Sequence, residues 1–309
     1  MKNRTITVAV FSDIHGNYHA FKACYEDAIK HRAEQFLFLG DYVSDLADSR
    51  KTMDLVYEIR ECFPTVCLRG NRERYMLEYE QGISSFSRGS KTGSLLYTYD
   101  NLRQQDIDFF KGLKMYDTIS INGVMIEIAH AAKDDDRCYF EGDDPKIEGI
   151  FSEMQASYLL TGHSHRQYIQ SQDGKTILNP GSVGIPQGGT RWPAYALLRV
   201  EGGAVSFQLR QVLYDITAAI HAQFENGLVE YSHCWGISIL HDIITGEEYT
   251  IRLLENVYGN GDVCDEEVWR AEAAKMGMKF TEREIIELLS RQEVLNDQVG
   301  FLRCWLNTG

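Results

Sequence analysis

No stretch of the 309-residue chain approaches the roughly 18 apolar residues that a membrane-spanning helix needs, so no membrane partner is expected. No two of the seven cysteines form a CxxC pair, and the closest are Cys62 and Cys67. An odd count without such a pair argues against a zinc ribbon or a disulfide framework and for reduced thiols in a cytoplasmic protein. The opening MKNRTITVAVF is interrupted by polar residues, and no small-residue cleavage site follows it, so it reads as a strand rather than a secretory leader. Positive charge is also scarce: 31 Lys and Arg stand against 45 Asp and Glu, giving a net charge of −14. No basic stripe interleaved with aromatics is present, which makes long nucleic acid an unlikely partner. A small phosphate substrate stays open, because bound cations can outweigh a distant negative surface. Internal repeats and low-complexity tracts are absent.

The composition is otherwise that of a globular protein, with 44% hydrophobic and 25% charged residues. The first 80 residues alternate apolar strands (5–11, 35–40 and TVCLRG, 65–70) with helical spacing at Asn17–His31 and Ala47–Cys62. Short apolar strands separated by helices predict βαβ units and a parallel sheet. A helix ending near Gly112 is followed by strands at 114–121 and 124–130, joined by Asn122-Gly123, a strong hairpin signal. Beyond a charged loop at 131–145, whose Asp134 to Asp136 read as solvated, strands are expected at 157–161, 166–171, 175–179, 194–200 and 204–210. From Asp215 onward proline and strand alternation disappear, and helices are expected, including 269–278 and 281–306 with a Thr281/Glu284 capping box. The division is therefore an α/β (α+β) domain over 1–214 and a C-terminal helical appendage over 215–309. The appendage either caps a site or forms a homodimer surface, and Trp235, Trp269 and Trp305 in it read as core.

The chemistry lies in the loops that follow the apolar strands. They carry Asp13-Ile14-His15-Gly16-Asn17, Gly40-Asp41, Gly70-Asn71-Arg72-Glu73, His130, and Gly162-His163-Ser164-His165. In a parallel βα sheet the carboxyl ends of the strands lie on one edge, so these residues are expected to converge. Imidazoles suit Zn, Fe, Ni or Mn, a carboxylate can bridge two cations, and an Asn carbonyl adds a neutral oxygen. The D-x-H and H-x-H pairs place both of their side chains on one side of an extended strand end. Two cations so held can activate a water and clamp a phosphoryl oxygen.

With these five motifs in this order, residues 5–212 resemble the calcineurin-like metallophosphoesterase superfamily. Asn179-Pro180-Gly181-Ser182-Val183-Gly184 is similar to the NPGS segment of its small bacterial and archaeal phosphodiesterase branch. The resemblance implies a four-layer α-β-β-α sandwich with two divalent ions at its rim. One would be held by Asp13, His15 and His165, the other by Asn71, His130 and His163. Asp41 would bridge them, and a hydroxide between the ions would be the nucleophile. It implies hydrolysis of a small phosphate ester, a phosphodiester or a nucleotide, and some similar proteins hydrolyse diadenosine polyphosphates. The native metal, with manganese among the candidates, is left open. The alternative is an interaction scaffold of the same fold with a degraded metal site, which the intact set of seven ligand types disfavours.

Asn71, Arg72 and His130 are the candidate catalytic residues. Many relatives carry a proton-donating His where Arg72 stands, and an arginine cannot give up its proton at ordinary pH. Arg72 either holds phosphate oxygens through its planar fork or turns outward to pair with Glu73 or Asp45. His19 is a substrate contact or an exposed helix histidine. Asn17 caps a helix, presents a helix N-terminus to phosphate, or does both. His31, His221, His233 and His241 are expected in packing or solvent roles, and Ser164 lacks a base that would make it a nucleophile.

Overall fold

The computed structural model describes residues 4–142, 144–259 and 266–292. Chain order runs β1 (Ile6–Phe11), α1 (Tyr18–Lys30), β2 (Gln35–Phe38), α2 (Ser49–Cys62), β3 (Thr65–Cys67), α3 (Asn71–Glu80), α4 (Gly93–Asn101), α5 (Gln104–Lys111), β4 (Tyr116–Ile121) and β5 (Val124–Ala129). It continues with α6 (Lys146–Glu153), β6 (Tyr158–Leu160), β7 (Gln167–Gln172), β8 (Lys175–Pro180), β9 (Ala194–Glu201) and β10 (Ala204–Gln211). The helices α7 (Ile216–Glu225), α8 (Leu228–Ser232), α9 (Cys234–Thr245), α10 (Tyr249–Gly259) and α11 (Glu266–Lys275) follow. Residues 282–292 are also helical, and Thr281 and Glu284 exchange the two side-chain-to-backbone hydrogen bonds of a capping box. The remainder of the expected 281–306 helix, with Trp305, lies outside the described residues.

Two five-stranded sheets form, in the orders β10-β9-β1-β2-β3 and β4-β5-β6-β8-β7. Period-2 alternation gives the central strands β1 and β2 of the first sheet two apolar faces. Val8, Val10, Leu37, Leu39 and Leu198 meet Ile126, Ile128, Leu160 and Leu178 of the second sheet in one buried cluster. Ala9, Phe11, Phe36 and Phe38 instead pack with Phe21, Cys24, Met53 and Val56 of α1 and α2. On the far face of the second sheet Ala129, Leu159 and Ile177 are covered by Ile147 and Phe151 of α6. The result is an α-β-β-α sandwich, as the resemblance implies.

Two features depart from the sequence reading. In the first sheet only β1, β2 and β3 are mutually parallel, since the late hairpin β9–β10 joins it by antiparallel pairing of β9 with β1. The βα half and the hairpin-rich half thus share a sheet. The charged 134–136 run is not wholly solvated: Asp136 is buried and accepts from Arg74 Nε and Nη2 at 2.6 and 3.1 Å. After β10 the chain enters α7, with Asp215 as its N-cap, and the later helices share a core of their own around Ile220, Leu240, Ile243 and Leu253. Among the described residues no helix is long and apolar enough to cross a membrane.

Candidate metal centre

Five loops at the carboxyl ends of β1, β2, β3, β5 and β6 bring the strand-end residues together, with Asp13, His15, Asp41, Asn71 and His130 all buried. Asp13, His15, Asp41, His163 and His165 adopt φ between 52° and 65°. Non-glycine residues seldom occupy this left-handed region, and clusters of such strain mark functional sites where the surroundings impose it. The surroundings here are hydrogen bonds between loops. Asp13, Ile14 and His15 N–H groups donate to the carbonyls of Gly40 and Asp41. Gly184 N donates to Asp13 O, and Ser182 Oγ donates to the same carbonyl at 2.7 Å. Asn179 Nδ2 donates to Gly162 O at 2.7 Å and fixes the GHSH loop.

Two groups of ligand atoms result, Asp13/His15/His165 and Asp13/Asp41/His130. His15 Nε2 lies 3.1 Å from His165 Nε2, and the latter lies 3.4 Å from Asp13 Oδ1. His130 Nε2 lies 3.1 Å from Asn71 Oδ1 and 3.6 Å from Asp41 Oδ2. The same Asp41 oxygen is 3.7 Å from His15 Nε2, so it stands between the two groups. The His163 ring lies 5.3 Å from that of His130, centroid to centroid.

The outer ring nitrogens decide what these contacts mean. His130 Nδ1 faces the Leu39 carbonyl at 2.9 Å and His165 Nδ1 faces the Ile185 carbonyl at 2.7 Å. A carbonyl can only accept, so both Nδ1 atoms carry hydrogen, and in the neutral rings both Nε2 atoms present lone pairs. Each lone pair then faces other acceptors: Asn71 Oδ1 and Asp41 Oδ2 in one group, Asp13 Oδ1 in the other. Asp13 Oδ1 is buried and makes no hydrogen bond. Converging acceptors without donors fit cations, and a backbone carbonyl behind each imidazole is the usual support for a metal-binding histidine. The donor set of His, Asp and Asn suits divalent transition ions.

The carboxylates dominate the electrostatics: burial alone would lower the His130 and His165 imidazoles, but Asp41 and Asp13 raise the first and Asp13 the second above the ordinary value, so the pocket favours positive charge. Burial alone would push the Asp13 carboxyl up, but His165, His130 and His15 reverse that and hold it well below the usual carboxylate range. Burial next to His130 lowers the His163 imidazole to about 4, which keeps it neutral and able to ligate.

The sequence profile of the calcineurin-like phosphoesterase superfamily domain matches residues 6–203, about two thirds of the chain. The chain belongs to the calcineurin-like phosphoesterase superfamily. An uncharacterized protein of Methanocaldococcus jannaschii is 26% identical over 242 residues, 72% of this chain and 94% of that one. A probable metallophosphoesterase of Mycoplasma pneumoniae is 38% identical over 48 residues, 16% of this chain and 30% of its own. Among solved structures, a metallophosphoesterase from Sphaerobacter thermophilus superposes with a TM-score of 0.61 at 19% identity, covering 79% of this chain and all of that one. A hypothetical protein from Pyrococcus horikoshii gives 0.66 at 16% identity, covering 78% and 98%. These two superpositions establish the fold.

In this phosphoesterase Asn71, read from the sequence as part of a loop after a strand, is the first residue of α3. Arg72 combines parts of both readings offered for it. Its Nη2 pairs with Asp45 Oδ2 at 3.0 Å, yet it does not turn outward, because it lines the same cavity as Asn71, His163 and His165. Glu73 is not its partner. That carboxylate is fully buried and accepts from the N–H groups of Asp41, Tyr42 and Gly70 at 2.8–2.9 Å, joining the second and third loops. Asn17 caps α1 through Ala20 N and donates to Gly184 O, while His19 Nε2 lies 3.5 Å from Asp48, away from the ligand groups. His31, His221 and His233 engage Asp27, Glu282 and Glu266 at the periphery, and His241 is buried in α9.

The sequence allows a cap from the C-terminal segment as one alternative but does not name its residues, and Trp235 reads from it as core. Trp235, Ile239 and Asp242 of α9, with Thr250 and Ile251 of α10, line the cavity that holds Asn71 and Arg72. Spacing of four and three along α9 puts its three residues on one face, a signal legible in the sequence once the helix is assigned.

Proposed function

We propose that this phosphoesterase hydrolyses a phosphodiester or nucleotide bond with two divalent ions, one on Asp13, His15 and His165 and the other on Asn71, His130 and His163, with Asp41 between them. The observation that carries this reading is the Asp41 Oδ2 position, 3.7 Å from His15 Nε2 and 3.6 Å from His130 Nε2, where one carboxylate oxygen is within reach of both groups. Bound there, the ions would supply Lewis acidity and an activated water. The chain's own groups do the rest. Gly70 lets the Asn71 loop press on Asp41, whose Oδ1 accepts from Arg72 N at 2.8 Å. Asp45 holds one edge of the Arg72 guanidinium, which leaves a fixed planar cation at the cavity wall to pair with phosphoryl oxygens. Because Arg72 cannot act as an acid, esters with good leaving groups, such as aryl or nucleotide esters, should react faster than alkyl esters.

The test is steady-state hydrolysis by chelator-stripped protein resupplied with Mn²⁺, using bis-p-nitrophenyl phosphate, p-nitrophenyl phosphate and diadenosine tetraphosphate. Metal-dependent turnover that disappears in Asn71→Ala and weakens in Arg72→Ala supports the reading. Absence of turnover on all three by metal-loaded protein counts against it.

A further inference from the structure

The cavity over the metal groups has two unlike walls. One is made of Asp41, Asn71, Arg72, His163 and His165; the other is the α9–α10 face together with Tyr139 from the 131–145 loop. Apart from Tyr139, that second wall belongs to the C-terminal helices, beyond the matched family domain, which ends at residue 203.

Its depth is graded. Trp235 is half-buried, and its Nε1 donates to Asp45 Oδ1 at 3.1 Å, while Asp45 in turn pairs with Arg72. On its other side the indole packs edge-on against Trp269, with centroids 6.3 Å apart, so its orientation is fixed from two directions. Ile239 is buried next to it, and Tyr139 and Ile251 stand at the mouth, each 39% exposed. At the rim of a polar cavity they offer apolar surface that a bound ligand would remove from water. Polar atoms lie among them. Asp242 is buried two turns along α9 from Trp235 and accepts from Thr250 N at 3.1 Å, while Gln187 lies on the cavity's other border.

We propose that this α9–α10 wall is a base-binding subsite, and that the substrate is an ester of a single phosphate group carrying one nucleobase. The assignment rests on the metal-site reading above for the phosphate, and on separate residues for the base. A flat apolar surface edged by a carboxyl, a hydroxyl and an amide suits a heterocycle with hydrogen-bonding edges better than a plain hydrocarbon. Size limits the remainder. The cavity measures about 200 Å³, below the roughly 300–1,000 Å³ of drug-sized pockets, so one base and one phosphate are the scale it accepts. The subsite therefore disfavours diadenosine polyphosphates, which the family resemblance alone would allow.

Calorimetric titration of Mn²⁺-loaded protein with adenosine 5′-monophosphate and with ribose 5-phosphate isolates the base, since the two ligands share sugar and phosphate. The wild type is expected to bind the nucleotide about tenfold or more tighter. The double variant Tyr139→Ser/Ile251→Ser, which adds no charge and lies at exposed positions, is expected to lose most of that ratio while its ribose 5-phosphate affinity stays unchanged. Diadenosine tetraphosphate should bind no tighter than the monophosphate. Equal wild-type affinities, an unchanged ratio in the variant, a parallel loss of ribose 5-phosphate binding, or tighter binding of the tetraphosphate would each overturn the subsite. Failure of the two-ion reading shows separately, as metal-loaded wild type that does not turn over bis-p-nitrophenyl phosphate.

Discussion

Asp45 belongs to neither ligand group, yet His15, Arg72, Ser94 and Trp235 all end on it. Its oxygen lies 3.3 Å from His15 Nδ1, the relation in which a carboxylate orients a metal-binding imidazole. Asp45→Asn is expected to weaken Mn²⁺ binding by about 10–100-fold, read by calorimetry, because such supporting partners typically carry that much affinity. An affinity within twofold of wild type would remove this positioning role. Asp242 offers a second test at the same scale. Burial pushes its carboxyl from 3.8 up to about 7, so between those values the folded protein holds a proton that the unfolded chain releases. Stability from this group is therefore present below about pH 4 and falls as pH rises toward 7. Comparing unfolding midpoints of wild type and Asp242→Asn from pH 4 to pH 8, the variant should gain relative to wild type as pH rises. A difference that does not change with pH would show that Asp242 is ionised throughout.

At the scale of elements, the site is a set of loops sewn to one another more than to the sheets beneath them. Glu73 closes the second loop onto the third with three backbone hydrogen bonds, and Gly70 permits the contact, since a Cβ there would lie 2.2 Å from Asp41 Oδ1. In Glu73→Gln one acceptor oxygen becomes an NH₂ facing a backbone N–H. The expected cost is about 1–3 kcal/mol in urea unfolding, together with weaker metal binding. A variant as stable as wild type would mean the loops hold without that carboxylate. Each of these motifs was legible because it is short and follows an apolar strand, and five in order fixed the family. The helix beginning at Asn71 was hidden because Asn after Gly reads locally as a turn, and its start depends on Glu73 reaching back to Gly70 N. The placement of β9–β10 was hidden for a different reason: a Gly-Gly hairpin names its own partner strand but not the sheet it joins. Asp45 and the α9 stripe gain meaning only when residues nearly 200 positions apart meet.

Across the whole molecule, the C-terminal helices and the sandwich share the cavity, with Trp235 and Asp45 bonded across the boundary. Bound ions and this contact should therefore stabilise the protein together. Saturating Mn²⁺ at a hundred times its dissociation constant is expected to add about 2.7 kcal/mol per site to unfolding. Calorimetric scans with and without chelator would read this as a raised midpoint, and coincident midpoints would exclude binding to the folded state. The most direct test of the central claim is the Mn²⁺ stoichiometry of chelator-stripped protein at equilibrium, measured for wild type, His165→Ala and Asn71→Ala. The account predicts two ions per wild-type chain and selective loss of one in each variant. One ion per wild-type chain, or none, would contradict it.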